Sequence, residues 1–377
     1  MAVGLAKEDI AAATAVLESG MLRAATKCAE FEQRWAQMTG ARHALTCANG
    51  TCALQLAYEP MLQPGDEVIC PAWTYIATAS MLVARGCRVI FCDSLPDTYQ
   101  VDVKDLERRI TPRTRAIAVT HIYGIPVDID AVQAVAGKHK LKVIYDAAQA
   151  HLAEYKTADG WKGIGAFGDA VTYSFYATKN LGTGEGGMVT VNDDGLKRDI
   201  ELLRSHGETE KYLHERVGYN YRLNDVAGAI GLSKTARLPA ETQARRAVAE
   251  KYHVLIDQID GVDRPHPSAA TRPAWHLYSL RLELDKLTCT RDEFAAALKA
   301  EGVPSAVHYP KSLTDQPAFK AQVEQNAREF GDGAAHPQVA RMLAKSVLSI
   351  PMHQNLTDRQ VEQVAEAVAK VAEAYRA

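Results

Sequence analysis

SFYATKNLGTGEGGMVTV, residues 174–191, holds the spacing on which the fold turns. Gly182, Gly184 and Gly187 satisfy G-x-G-x-x-G, the turn that carries a pyrophosphate in dinucleotide-binding folds. Such a turn must run from a strand into a helix, because the pyrophosphate sits on the helix N-terminus. Here the order differs: AVTYSF (170–175) lies before the glycines and MVTV (188–191) after them, and both read as strands. The glycines therefore sit in a strand-to-strand connection, where they let the backbone approach something closely. The dinucleotide reading falls, and Lys179 becomes the residue to follow. Lysine is usually a solvated surface charge. Just beyond a buried strand its amine would instead be partly desolvated and its pKa lowered, as a lysine that links covalently to an aldehyde requires.

Outward from this stretch, residues 44–191 alternate short apolar runs with helical periods: EVIC, RVIFC and RAIAVTH are each followed by a helix-like segment, and LKVIYD is the next run. Unbroken apolar runs mark strands buried on both faces, and alternation with helices marks a mainly parallel α/β sheet. Ligands collect at the carboxyl ends of such strands. After Leu223 the sequence turns helical, and DRPHPSAATRPAW (263–275) interrupts it. Beyond lie an alternating strand HLYSLRLEL, a helix capped by Thr290, a short strand PSAVHY and a closing amphipathic helix. This predicts a large domain over 26–245, a smaller α+β domain over 246–377, and an N-terminal helix within 1–25 packing on the small domain.

Composition bounds the function. The chain has 377 residues, 47% hydrophobic and 24% charged, with a formal net charge of -3. No basic stripe invites nucleic acid, and no apolar run reaches the roughly 18 residues that span a bilayer. Lys7, Glu8 and Asp9 stand where a signal peptide would be apolar, so a cytoplasmic protein is expected. The seven cysteines are scattered and form no C-x-x-C, which suits free thiols and no metal site.

Three further signals accompany Lys179. VIYDAAQA (143–150) places Asp146 at the end of a central strand, with Gln149 shortly after; helix capping is its ordinary alternative. A carboxylate and a lysine on neighbouring strand ends suit pyridoxal phosphate, the lysine holding the aldehyde and the carboxylate keeping the pyridine nitrogen protonated. CANGTCALQLA (47–57) opens a helix at Gly50 and Thr51, a phosphate site by its free N–H groups and dipole. Trp73 follows the strand EVIC, where it could stack on a flat ring or simply fill a core.

Together CANGTCAL, QPGDEVICPAWTYIATA, VIYDAAQAH, FGDAVTYSFYATKNLGTGEGGMV, VGYNYRLNDVAGAIGL, AVHYP and LSIPMH resemble the sugar aminotransferases of the DegT/DnrJ/StrS family, fold type I pyridoxal-phosphate enzymes. The resemblance implies a large domain with a mostly parallel mixed sheet between helices, and a smaller α+β C-terminal domain. It implies that Lys179 holds the cofactor, Asp146 partners the pyridine nitrogen and Trp73 stacks on the ring. Gly50, Thr51 and Ser174 would bind the phosphate, with Gln149 near the phenolic oxygen. Asn220 would reach the phosphate of a neighbouring subunit, implying a homodimer with shared sites. His308 and Tyr309 are expected at the substrate cleft, with Lys311 or Arg222 available to a diphosphate. The expected reaction moves an amino group from glutamate or glutamine to a keto sugar, most simply a nucleotide-linked one. A keto-cyclitol acceptor and a sugar dehydratase are the alternatives, and Lys179 argues against the dehydratase. The family's usual Gly-Pro near the N-terminus is replaced by LRAATKCAEFE, which leaves the acceptor open.

Overall fold

A computed structural model describes residues 4–377. Seven strands form the main sheet in the spatial order His43–Cys47, Gly187–Val191, Ala170–Ser174, Lys142–Asp146, Thr114–Thr120, Glu67–Pro71, Arg88–Cys92. Gly187–Val191 runs antiparallel to both its neighbours, and the remaining pairings are parallel. Alternate side chains feed two separate cores. Val68, Cys70, Val89 and Phe91 enter one, and Ile69, Ile90 and Cys92 enter the other. Because both faces are covered, the strands carry apolar residues at successive positions.

The stretch 174–191 is the crossover between two paired strands of this sheet, antiparallel from Ala170↔Val191 to Ser174↔Gly187. No helix follows the glycines. Gly187 lies against the chain just before the Gly50–Tyr58 helix: a Cβ there would stand 2.3 Å from the Asn49 carbonyl oxygen. Glycine is needed because backbone, which cannot swing away, occupies the space.

A second, three-stranded antiparallel sheet joins Val262–Asp263, Tyr278–Leu282 and Val347–Ile350. The helices Leu238–Ile256, Arg291–Ala300 and Asp358–Ala374 close its core with Tyr252, Phe294, Leu298, Val361 and Val368. Thr290 caps its helix through the Glu293 N–H, as its position predicts.

The expected domain limits need four corrections. The N-terminal helix Lys7–Ser19 packs on the Asp225–Thr235 helix, inside the range given to the large domain, and not on the small domain. Buried Asp9 ties it there, accepting from Ser233 Oγ at 2.8 Å and from Arg237 Nη1 at 2.8 Å. Secondly, Leu238–Ile256 is one helix running through the 245/246 boundary. Thirdly, much of 312–346 returns to the large domain, where Leu313, Phe319, Val323 and Leu343 join its core. Asn326 Nδ2 donates to the Val89 carbonyl at 3.2 Å, so this segment covers the edge strand that would otherwise stand open. Finally, PSAVHY forms no strand, only an isolated bridge between Ala306 and Ser349.

Candidate active site

The site assembles at the carboxyl end of the main sheet. Asp146 ends its strand, is 4% exposed, and accepts from Thr78 Oγ1 at 2.7 Å and from the Ala148 N–H at 3.0 Å. Thr78 belongs to a buried hydroxyl cluster with Thr74 and Thr120, whose Oγ1 atoms lie 2.7 Å apart. Burial raises the Asp146 pKa; Thr78, the Ala148 N–H and the positive charge of Lys179 draw it back down. A carboxylate so placed gains from any further cationic N–H brought against it.

Lys179 lies five residues past the Ala170–Ser174 strand, its backbone N–H bonded to the Tyr176 carbonyl at 2.9 Å. Burial lowers its pKa from 10.5 to about 8, with Asp146 pulling the other way. The amine is thus largely protonated at neutral pH yet releases its proton at small cost. Around it stand histidines that burial and its own charge keep neutral: His151, pushed down to about 3, and His276. The Asn180 amide is oriented by donating Nδ2–H to the Ala274 carbonyl at 3.0 Å. Its Oδ1 therefore faces His276 Nδ1 at 3.2 Å, so Nδ1 carries the proton and Nε2 the lone pair.

The expected phosphate seat is built on close approaches. A Cβ on Gly50 would stand 2.7 Å from Ser174 Cβ, so only glycine lets the helix start reach the end of that strand. The helix cap is Asn49, which the sequence reading passed over; its Oδ1 takes the Cys52 N–H at 2.9 Å. Among the described residues the N–H groups of Gly50 and Thr51 find no partner, leaving two helix-terminal donors beside Ser174 Oγ.

Gln149 is fixed by its neighbours. Its Oε1 accepts the Tyr123 N–H at 2.7 Å, so Nε2 must face the cleft, where it donates to Tyr309 Oη at 2.9 Å. Tyr123 holds a left-handed backbone, φ 58°, a cost to a side-chain-bearing residue that the surrounding contacts maintain. Trp73 is 1% exposed, its ring edge-on to Tyr309 at 6.0 Å, and its Nε1 has no partner.

The remaining expected residues divide. Tyr309 joins the cluster. His308 is adjacent, but its Nδ1 pairs with Ser349 Oγ at 3.1 Å, tying the ring to the small-domain sheet. Lys311 stands in a different cavity, about 690 Å³, with Arg281, Arg341 and Lys345. Arg222 and Asn220 are exposed; Asn220 is held by a backbone bridge to Ser205, and the Tyr221 carbonyl between them accepts the Ala48 N–H at 2.8 Å, two residues before Gly50. The larger groove of about 1000 Å³, between Leu238–Ile256 and Asp358–Ala374, contains none of the expected residues. Thr78, Tyr123, Asn180 and His276 escaped the sequence reading. Thr78 had a signal, since it lies one helical turn beyond Thr74 in WTYIAT.

These residues fit pyridoxal phosphate. The helix-terminal donors suit a phosphate, the outward Gln149 amide suits a phenolate oxygen, the buried carboxylate suits a protonated ring nitrogen, and the low-pKa amine suits an aldehyde.

Comparison with known proteins follows the same line. The DegT/DnrJ/EryC1/StrS aminotransferase family matches over residues 4–369. The chain is similar to the UDP-2-acetamido-2-deoxy-3-oxo-D-glucuronate aminotransferase of Pseudomonas aeruginosa, 36% identical over 94% of this chain and 93% of the relative. It is likewise similar to the dTDP-3-amino-3,4,6-trideoxy-alpha-D-glucose transaminase of Streptomyces venezuelae, 35% identical over 98% and 93% of the two chains. Among solved structures, S. venezuelae DesV in complex with ketimine intermediate superposes with TM-score 0.88 at 35% identity, covering 97% of this chain and 94% of that one.

Proposed function

The chain belongs to the DegT/DnrJ/EryC1/StrS aminotransferase family, and from that membership we propose that it aminates a nucleotide-linked keto sugar, using pyridoxal phosphate and glutamate or glutamine. The carrying observation is the pairing of a low-pKa lysine with a buried carboxylate on neighbouring strand ends, beside free helix-terminal donors. The relatives support the acceptor class, since two act on sugars linked to different nucleotides, UDP and dTDP.

Bound at this site, pyridoxal phosphate supplies an aldehyde and an electron-withdrawing ring. The N–H groups of Gly50 and Thr51, with Ser174 Oγ, bind and orient its phosphate. Asp146, stiffened by Thr78 and the Ala148 N–H, keeps a proton on the ring nitrogen. Gln149 Nε2 donates to the phenolic oxygen, its orientation guaranteed by Tyr123. Trp73 walls the ring and excludes water. With the cofactor in place Lys179 would hold its aldehyde, and once displaced by the donor amine its Nζ would move the proton between the donor's Cα and the aldehyde carbon. The same lysine would serve the keto sugar with the proton transfers reversed, so ping-pong kinetics are expected. Asn220, exposed and far along the chain, completes the phosphate seat of a second copy in a homodimer.

A two-stage experiment tests this. Glutamate or glutamine should convert the bound cofactor to its amino form, read by absorbance. UDP-, dTDP- or GDP-linked keto sugars should convert it back. Return with free keto-cyclitols alone would overturn the nucleotide-sugar acceptor and leave transamination standing.

A further inference from the structure

The turn that presents Lys179 is closed at its base. The Phe175 carbonyl accepts the Thr183 N–H at 2.8 Å, and the Tyr176 carbonyl accepts the Lys179 N–H at 2.9 Å. A Cβ on Gly182 would stand 2.7 Å from the Ala177 carbonyl oxygen and 2.9 Å from that of Tyr176. Gly182 therefore rests directly on the peptide groups that lead into the lysine, and a shift of one moves the other. Three ties hold this turn from outside. His151 Nδ1 accepts the Leu181 N–H at 3.2 Å, and Asn180 Nδ2 donates to the Ala274 carbonyl at 3.0 Å. The third comes from Lys234, in the last turn of the Asp225–Thr235 helix, whose Nζ donates to the Gly182 carbonyl at 2.8 Å.

Lys234 has no other visible task. It is 7% exposed and forms no ion pair among the described residues. Burying an ammonium without a bonded carboxylate is costly, and an apolar side chain of the same length would fill the space without that cost. Packing alone does not account for a lysine here. Burial lowers its pKa, and the charge that chiefly opposes this is Asp9 of the N-terminal helix, itself held by Ser233 and Arg237. What the ammonium does with its charge is bond one buried backbone carbonyl, three residues beyond Lys179.

We propose that Lys234 is a positioning residue for Lys179: its ammonium pins the Gly182 carbonyl, and with it the turn, so that the Lys179 amine stands where a cofactor aldehyde can meet it. Lys234 touches no reacting atom. The effect on the reaction rests on the transaminase reading above, whereas the tether itself can be measured without cofactor.

The experiment uses the full chain with Lys234→Met, which keeps the length and removes the donor, and Lys234→Gln, which keeps a shorter donor. Amide exchange, read by mass spectrometry on cofactor-free protein, should quicken about tenfold or more in the peptide covering 175–187 of Lys234→Met, because the Gly182 carbonyl loses its donor. Peptides from the rest of the main sheet should stay within about twofold. Pyridoxamine phosphate, which makes no covalent link, should bind within about threefold of wild type by calorimetry, since its phosphate seat is elsewhere. The glutamate half-reaction should lose about 100-fold in limiting rate, as misplacement of a reacting group by about 1 Å does, with half-saturation within about threefold. Lys234→Gln should fall between, losing about tenfold in that rate. If Lys234→Met loses the fold, Lys234→Gln decides by the same measurements. Wild-type exchange over 175–187, or a loss in pyridoxamine phosphate binding as large as the loss in rate, overturns the assignment. If pyridoxal phosphate forms no covalent link with the wild type while exchange still responds to residue 234, the transaminase reading falls and the tether stands.

Discussion

Removing the amine at residue 179 should stabilise the cofactor-free protein. Burial lowers the Lys179 pKa from 10.5 to about 8, so the unfolded chain keeps its proton through a range where the folded chain has released it. Between those pH values the unfolded state binds more protons, and stability rises with pH. Below pH 8 the folded state carries the whole penalty: the gap from 10.5 to about 8, at about 1.4 kcal/mol per pH unit, comes to roughly 3 kcal/mol. Part of this returns in Lys179→Met, because Lys179 is the cation that draws down the pKa of buried Asp146. A net gain of about 1–3 kcal/mol at pH 7 is expected, shrinking to less than about 1 kcal/mol at pH 10. Urea denaturation followed by tryptophan fluorescence, with both proteins cofactor-free and at equal concentration, measures it. No gain at pH 7, or a gain equally large at pH 10, would refute the claim that desolvation dominates at this amine.

Gly187→Ala puts a methyl 2.3 Å from the Asn49 carbonyl oxygen and must push the helix start away from Ser174. A loss of about 1–3 kcal/mol is expected by denaturation, with pyridoxamine phosphate binding weakened at least about tenfold. Gln149→Leu strands the buried Tyr123 N–H at a cost of about 1–3 kcal/mol, while Lys179 keeps its depressed pKa; denaturation and a lysine titration by NMR check the two halves. Lys179→Ala and Asn220→Ala, each inactive alone, should regain activity when mixed, because one heterodimer site is intact. Proven subunit exchange without recovered activity would count against shared sites.

Much of the large domain is legible in the sequence because its signals are short-range. Unbroken apolar runs identify Glu67–Pro71 and Lys142–Asp146, and strands on both sides of the glycines exclude a dinucleotide turn. The segment 312–346 is not legible. Its helices are amphipathic wherever they pack, and nothing local says that Asn326 will meet the edge strand 237 residues earlier. The N-terminal helix fails for the same reason, since its anchor is Asp9, a polar residue buried only because Ser233 and Arg237 await it.

The site divides along the same line. Residue type and position relative to a strand end single out Lys179, Asp146, Gln149 and Gly50, because desolvation, strand polarity and helix-terminal donors follow from local structure. What those groups can do was decided only in three dimensions. Parallel pairing of the strands that precede Asp146 and Lys179 brings carboxylate and amine within electrostatic reach, and burial then sets the amine near pH 8. The Tyr123 N–H chooses which end of the Gln149 amide faces the cleft, and the Ala274 carbonyl does the same for Asn180. Hydrogen-bond direction and burial are properties of the surroundings, and for these residues the surroundings come from chain segments tens to hundreds of residues away.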